Sequence, residues 1–203
     1  MAYFPFFIDL TDKPGLIVGG GAVAARKVEK LLPYGPQLTV VAPDLCREIT
    51  ETAGLVCLPR PFRAEDLAGQ TFVIAATDRR EENRRIATLC REKNIPVNVV
   101  DDREACTFLF PALVRRGPLS VGISTGGASP TAAVYVKEQL RAMLPDDLED
   151  TLIWLEGQRE RVRQTVPEEK RSKVFAALFA CCLEKGCPTE EELESLLEEA
   201  RHG

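Results

Sequence analysis

Histidine is almost missing from this chain: the only one among 203 residues is His202, beside the C-terminus. Its position argues against a zinc site that relies on core histidines and against a Ser-His-Asp triad. The seven cysteines are an odd number and include no CxxC pair. Because no basic and apolar leader precedes them, we expect a reducing cytoplasm. We predict no metal site, so proton chemistry must use carboxylates, the backbone or a bound cofactor.

Long hydrophobic runs and concentrated basic stretches are missing as well. No apolar run is long enough to span a bilayer. The net charge of −5 comes from the acidic last twenty residues, since residues 1–183 have equal numbers of acidic and basic side chains. A protein that binds a phosphate backbone needs a concentrated basic face. We therefore expect neither nucleic acid nor a membrane as a partner, whereas an anionic small molecule remains compatible.

Short apolar runs alternate with charged, helix-like runs in the first half of the chain. The runs that predict strands are rich in β-branched residues and too short for buried helices; they cover 16–18, 38–42, 55–58, 72–76 and 97–100. Residues 22–32 and 81–93 are typical of helices. Strands that are apolar along their whole length are covered on both faces, as in a parallel sheet. This pattern predicts an α/β fold.

After Asp101 the pattern changes. Two apolar runs, 108–114 and 119–124, predict two strands joined by a turn. A helix is expected next, with Ser129 as its N-cap and Pro130 as its first residue. Three amphipathic helices then follow over 147–165, 168–185 and 189–201, separated by proline and glycine.

The sharpest motif is G-x-G-x-x-A, formed by Gly19, Gly21 and Ala24 after the first predicted strand. A dinucleotide site needs a tight strand-to-helix turn, a residue without a side chain near the pyrophosphate, and a small residue where helix packs on strand. The helix N-terminus then presents free N–H groups to the phosphates. The predicted cofactor contacts in this turn are Gly19, Gly20, Gly21, Ala22 and Val23.

The ends of two other predicted strands complete the cofactor prediction. Pro43 and Asp44 follow the second strand, where an acid binds the ribose hydroxyls of NAD and an arginine would favour NADP. Arg47 lies nearby and moderates this preference, and Asp44 could instead cap a helix that starts near Leu45. The fourth strand ends at the small residues Ala76, Thr77 and Asp78, where ligands of open α/β sheets collect.

Six motifs in order carry a resemblance to a known family: VGGGAVAARK, VVAP, AATD followed by Asn83, NVVD at 98–101, F-x-F-P-A and STGGASP. Together they resemble the siroheme synthase amino-terminal family, over residues 3 to about 145. The resemblance implies a Rossmann-type NAD-binding domain over 1–112, a strand-helix dimerisation region over 113–145 that forms a homodimer, and a small C-terminal helical domain over 146–203.

The resemblance also implies an activity: oxidation of precorrin-2, a partly reduced tetrapyrrole with many carboxylates, to sirohydrochlorin with NAD as cofactor. Its key acid, the aspartate of NVVD, corresponds to Asp101. Asp101 also ends a predicted strand whose carboxyl end opens toward the cofactor crevice, so a general base is reasonable there. Alternatively, Asp101 or Asp102 ends the strand by bonding a turn amide.

STGGASP supplies the candidate substrate contacts Ser124, Thr125, Gly126, Gly127 and Ser129, since two glycines before a helix can form an anion-binding nest. A plain helix cap is the alternative for Ser129. Local basic excess adds Arg115 and Arg116 as candidate contacts for substrate carboxylates.

Three other functions remain open. Ferrochelation would make the chain bifunctional, with Asp101 accepting a pyrrole proton. A module that senses NAD without chemistry would explain the glycine turn but not NVVD together with STGGASP. A methyltransferase has a similar glycine loop but leaves AATD unexplained.

Overall fold

The computed structural model describes residues 3–202, without the side chains of Ala200 and His202. These residues form two compact units, Tyr3–Phe110 and 111–202. The predicted further separation of 113–145 from 146–203 stays a prediction.

The first unit is built on five parallel strands in the order β3-β2-β1-β4-β5. The strands are β1 (Pro14–Val18), β2 (Gln37–Ala42), β3 (Val56–Pro59), β4 (Phe72–Ala75) and β5 (Val97–Val99). The chain builds outward from β1 to β3 and then returns to place β4 on the other side of β1. The point where the order reverses, between β1 and β4, is where open α/β sheets bind their ligands.

Helices cover both faces of this sheet: α1 (Ala22–Leu31), the short α2 (Arg47–Thr50) and α3 (Arg80–Glu92). Ala24, Val28 and Leu31 share one face of α1 and pack with Ile17 and Val40. On the opposite face of the sheet, α3 buries Ile86, Ala87 and Cys90 in a second core cluster. Coverage from both sides explains why the strands are continuously apolar, and the predicted α/β fold with a parallel sheet is confirmed.

The second unit begins with the antiparallel hairpin of β6 (Ala112–Arg116) and β7 (Leu119–Ile123). Four helices follow: α4 (Pro130–Met143), α5 (Leu148–Thr165), α6 (Glu168–Lys185) and α7 (Glu190–His202). The last three bury a common core around Val162, Leu178 and Leu193. No helix within 3–202 is both long and apolar enough to cross a membrane.

The hairpin differs from its prediction at one end. The sequence placed the start of its first strand at Phe108, but the strand starts at Ala112. Phe108 and Phe110 instead pack against the α1 side of the first unit's core. Their apolar character serves that core, so the strand begins only after Pro111.

Candidate cofactor and reaction site

The first two glycines of the turn between β1 and α1 are required by packing inside the protein. Gly19 has a φ of +129°, and a Cβ there would collide with the carbonyl oxygen of Ala76. A Cβ at Gly20 would collide with the carbonyl oxygen of Asp44. Glycine at both positions therefore lets this turn lie against the residues that follow β4 and β2.

Gly21 is different, because a Cβ there would meet nothing within 4 Å. It is the N-cap of α1, and the first helical hydrogen bond runs from the Ala25 N–H to its carbonyl at 3.1 Å. The N–H groups of Ala22 and Val23 therefore precede the helical bonding pattern, at the positive end of the helix dipole. With no acidic side chain in the first turn of α1, the space above Gly21 fits a pyrophosphate.

Pro43 and Asp44 lie exposed after β2. The alternative role of Asp44 as a helix cap is wrong, since α2 starts at Arg47 with Cys46 as its N-cap. The Cys46 N–H donates to the Gly20 carbonyl at 2.8 Å, which ties this loop to the glycine turn. Arg47 pairs with Glu51 at 2.7 Å. The Asp44 backbone thus lies beside the glycine turn, and a contact of its carboxylate with a ribose stays a prediction.

A buried asparagine shapes the turn after β4. Asn83 is only 4% exposed, and its Oδ1 accepts from the Thr77 N–H at 3.0 Å and from the Thr77 hydroxyl at 2.7 Å. Its Nδ2 donates to the Thr77 carbonyl at 3.0 Å. Asn83 therefore fixes both backbone groups of Thr77. The Thr77 hydroxyl and both Thr77 backbone groups are thus bonded within the protein, and a cofactor contact of Thr77 stays a prediction.

Asp101 follows β5 in an exposed, left-handed conformation with a φ of +57°. The preceding Val100 N–H donates to the Ala75 carbonyl at 3.0 Å, which aligns the end of β5 with that of β4. An open cleft of about 380 Å³ lies at these two ends, lined by Thr77, Asp78, Arg80, Asn83, Val99, Val100 and Asp101. The structure therefore brings Asp101 together with two of the predicted cofactor residues, Thr77 and Asp78.

Asp102, the next residue, holds the turn after β5 in place. It is 6% exposed, and its Oδ2 accepts from Nε of Arg84 at 2.7 Å. This hydrogen bond lowers the pKa of Asp102, and the backbone amide of Ala105 lowers it further. Of the two acids, Asp102 holds the turn in place while the Asp101 carboxylate remains exposed to the cleft.

Cys106 and Thr107 close the turn that bears Asp101. The Val99 N–H donates to Cys106 Sγ at 3.1 Å, and the Cys106 thiol donates to the Asp102 carbonyl at 3.3 Å. The Val97 N–H donates to the Thr107 hydroxyl at 2.7 Å. Burial raises the pKa of the Cys106 thiol, so this thiol acts as a neutral hydrogen-bonding group. Sequence reasoning missed this role, since nothing in the spacing marks it.

Lys27 is a second residue that the sequence did not single out, apart from its place in the motif VGGGAVAARK. Its ammonium lies 3.8 Å from the centroid of the Phe110 ring. Burial lowers the pKa of Lys27 to about 8, while the negative charge of Asp101 acts in the opposite direction. Lys27 is therefore a desolvated amine within electrostatic range of Asp101.

The STGGASP segment lies in the second unit. Ser129 is the N-cap of α4, since its Oγ accepts from the Ala132 N–H at 3.1 Å. The Thr125 hydroxyl donates to the Ser129 carbonyl at 3.0 Å, and Ser124 Oγ accepts from the Gly126 N–H at 3.2 Å. Gly126 and Gly127 both have positive φ. The predicted cap is thus observed, and the anion contacts of this segment stay predictions.

The neighbouring Arg116 lies 3.6 Å from Asp146. Roles of Arg115 and Arg116 in substrate binding also stay predictions. Among the residues that the structure describes, no group of three or more His, Cys, Asp or Glu side chains could hold a metal ion.

The strand order, the glycine turn and the cleft define a nucleotide-binding protein of the doubly wound α/β class. The chain belongs to the family described as putative NAD(P)-binding, whose model matches residues 6–112. The model described as sirohaem biosynthesis protein central matches residues 116–143. The predicted nicotinamide cofactor is thereby confirmed at the level of NAD(P).

Curated relatives and a solved structure agree with this assignment. The siroheme synthase of Neisseria meningitidis serogroup C (strain 053442) is 36% identical over 214 residues, covering 100% of this chain and 44% of that protein. The siroheme synthase of Methylococcus capsulatus is 43% identical over 178 residues, covering 86% of this chain and 38% of that protein. The chain thus spans less than half the length of these relatives.

The structure of SirC, precorrin-2 dehydrogenase, shares the fold with a TM-score of 0.77 at 23% identity, covering 98% of both chains. The resemblance to the siroheme synthase amino-terminal family is confirmed by the two family models and the curated relatives.

Proposed function

We propose that this chain oxidises precorrin-2 to sirohydrochlorin with NAD as cofactor and Asp101 as general base. The observation that carries the proposal is the cleft at the ends of β4 and β5, where Asp101 stands with Thr77 and Asp78. The names of the curated relatives and of the matching structure support the substrate class. The glycine turn, which is suited to bind the pyrophosphate of the cofactor, follows β1, the strand next to β4.

The choice of NAD over NADP rests on Asp44. A carboxylate after β2 accepts hydrogen bonds from ribose hydroxyls and repels a 2′-phosphate. The nearby Arg47, which would favour the phosphate, is paired with Glu51. Gly21 and the amides of Ala22 and Val23 would hold the pyrophosphate.

The residues of the chain have separate tasks in this reaction. When bound, NAD supplies the acceptor for the two electrons removed from the substrate. A carboxylate oxygen of Asp101 accepts the proton that leaves the macrocycle. Asp102 and Cys106 keep the turn in place, so that this oxygen faces the cleft, and Asn83 fixes the wall formed by Thr77.

The test is NADH formation from precorrin-2 and NAD, followed by absorbance at 340 nm under anaerobic conditions. We expect Asp101→Ala to lower kcat by roughly 100-fold or more, the usual contribution of a general base. Asp12→Ala is the matched control, because Asp12 is also an exposed aspartate with a φ of +57°. An unmodified chain that forms no NADH would refute the proposed activity, and full turnover by Asp101→Ala would refute the assignment of the base.

Further parts of the proposal concern assembly and location. We propose a homodimer formed through 113–145, to be checked by sedimentation at micromolar concentration, and a cytoplasmic location in keeping with the seven free thiols. The residues of STGGASP, Arg115 and Arg116 are the proposed contacts for substrate carboxylates. Ferrochelation by the same Asp101 stays a prediction.

A further inference from the structure

The cleft beside Asp101 contains one residue that the proposed reaction has not yet used. Arg80 is the first residue of α3, and it lines the cleft together with Asp78 and Asp101. The Arg80 side chain is 72% exposed. It therefore reaches the space in which the proposed base operates.

The charge of the cleft explains why a cation matters there. Asp78 and Asp101 both carry negative charge, and precorrin-2 carries many carboxylates. An anionic substrate that approaches two carboxylates is repelled unless a cation lies between them. Of the described residues that line the cleft, Arg80 alone is positively charged.

Arg80 is not needed to neutralise the buried Asp102. Arg84 already does so with a hydrogen bond of 2.7 Å, whereas Arg80 Nε lies 3.7 Å from the same Oδ2, beyond hydrogen-bonding distance. Arg80 is also the last of the causes that lower the pKa of Asp102. Its five donors are thus largely available to a ligand.

The helix itself does not explain an arginine at this position either. A cation in the first turn of a helix opposes the helix dipole, whereas an acid there is favourable. Glu81 and Glu82 in the same turn follow that rule, and Arg80 does not. Residues that break a local rule without a structural gain are expected at functional sites.

We propose that Arg80 binds a carboxylate of the tetrapyrrole substrate and holds the macrocycle against Asp101. The assignment rests on the proposed function, whose site it completes. The planar guanidinium can accept a carboxylate through two parallel hydrogen bonds. Arg80 is accordingly a substrate-binding residue, and the base remains Asp101.

The test compares Arg80→Gln, Arg80→Lys and the control Arg85→Gln in the full chain. Arg85 lies on the same helix, pairs with Glu82 at 3.0 Å and is not among the residues lining the cleft. Sirohydrochlorin, the proposed product, serves as the probe in an absorbance titration at two salt concentrations. NAD affinity and thermal stability are measured for each variant.

We expect Arg80→Gln to weaken sirohydrochlorin binding roughly 10–150-fold, the usual range for a hydrogen bond between charged groups. Its binding should also depend less on salt. Arg80→Lys should recover part of the loss, and Arg85→Gln should bind within about twofold of the unmodified chain. In steady state the KM for precorrin-2 should rise while kcat stays within about threefold. Thermal stability should be unchanged or higher, because the cation at the start of α3 is removed.

Three results would overturn the assignment. Equal binding by Arg80→Gln and the unmodified chain would refute it while leaving the proposed function intact. A loss of NAD affinity in place of sirohydrochlorin affinity would assign Arg80 to the cofactor instead. An unmodified chain that binds no sirohydrochlorin would refute the proposed function and this assignment together.

Discussion

Replacing Lys27 by methionine should raise the free energy of unfolding at neutral pH. The side chain keeps its apolar stem in either case, so the substitution removes mainly the desolvated ammonium. Burial lowers the pKa of Lys27 from 10.5 to about 8. This difference corresponds to at most about 3 kcal/mol of penalty for the charged form. Loss of the contact with the Phe110 ring offsets about 1 kcal/mol of that. With partial screening by solvent, we expect a net gain of about 1–2 kcal/mol.

The sign of the pH dependence follows from the direction of the shift. Because the pKa of Lys27 is lower in the folded chain, the unfolded chain binds more protons between pH 8 and 10.5. The penalty is fully present below pH 8 and disappears as the pH rises to 10.5. The advantage of Lys27→Met should therefore be largest at pH 7 and smaller at pH 9.5.

Urea denaturation of both chains at pH 7 and pH 9.5 measures this difference, and the comparison cancels the titration of all other groups. Lys93→Met is the control, since Lys93 is an exposed lysine at the C-cap of α3 and is not among the groups that shift the pKa of Lys27. We expect a change within about 0.5 kcal/mol. A destabilised Lys27→Met at pH 7, or an advantage that grows toward pH 9.5, would refute the reasoning.

Three further predictions concern the site. Gly21→Ala should keep its free energy of unfolding within about 0.5 kcal/mol but lose NAD affinity at least about tenfold in calorimetry. Gly20→Ala should lose both stability and NAD affinity, since a Cβ at Gly20 meets backbone atoms. Retained NAD affinity in Gly21→Ala would contradict a pyrophosphate there. Asp101→Gly should raise the free energy of unfolding by roughly 0.5–1 kcal/mol, because glycine adopts a φ of +57° without strain. The same variant should lose NADH formation. A lower free energy of unfolding in urea would argue against strain at this turn. Asn83→Ala should cost about 1–3 kcal/mol in the same assay, since the Thr77 backbone loses both partners; an unchanged midpoint would show that water replaces them.

The sequence predicted those parts of the fold that local patterns encode. The parallel strands are apolar along their length because helices cover both faces. The turn after β1 is rich in glycine because no space is left for a Cβ at Gly19 or Gly20. The first hairpin strand was placed too early, since Phe108 and Phe110 are apolar for a different reason, namely the core beside α1.

Contacts between distant residues were beyond the reach of sequence patterns. Arg84 and Asp102 are 18 positions apart and meet only because α3 and the turn after β5 adjoin at one edge of the sheet. The thiol of Cys106 has no sequence signal for its role, since a buried hydrogen-bonding cysteine looks like any small apolar residue. The sequence did not distinguish Arg80 from the other arginines of α3, because its position in the cleft depends on the neighbouring strand β5.

The hydrogen bonds at the end of β5 have a consequence for the chain as a whole. An edge strand with open amides is a template on which another chain can add a strand and begin aggregation. Here the outward amides of Val97 and Val99 are already bonded to the Thr107 hydroxyl and the Cys106 thiol. Two small side chains thus protect one border of the sheet from association with other chains. The same thiol that fixes the proposed catalytic turn therefore also helps to keep this surface of the folded protein from self-assembly.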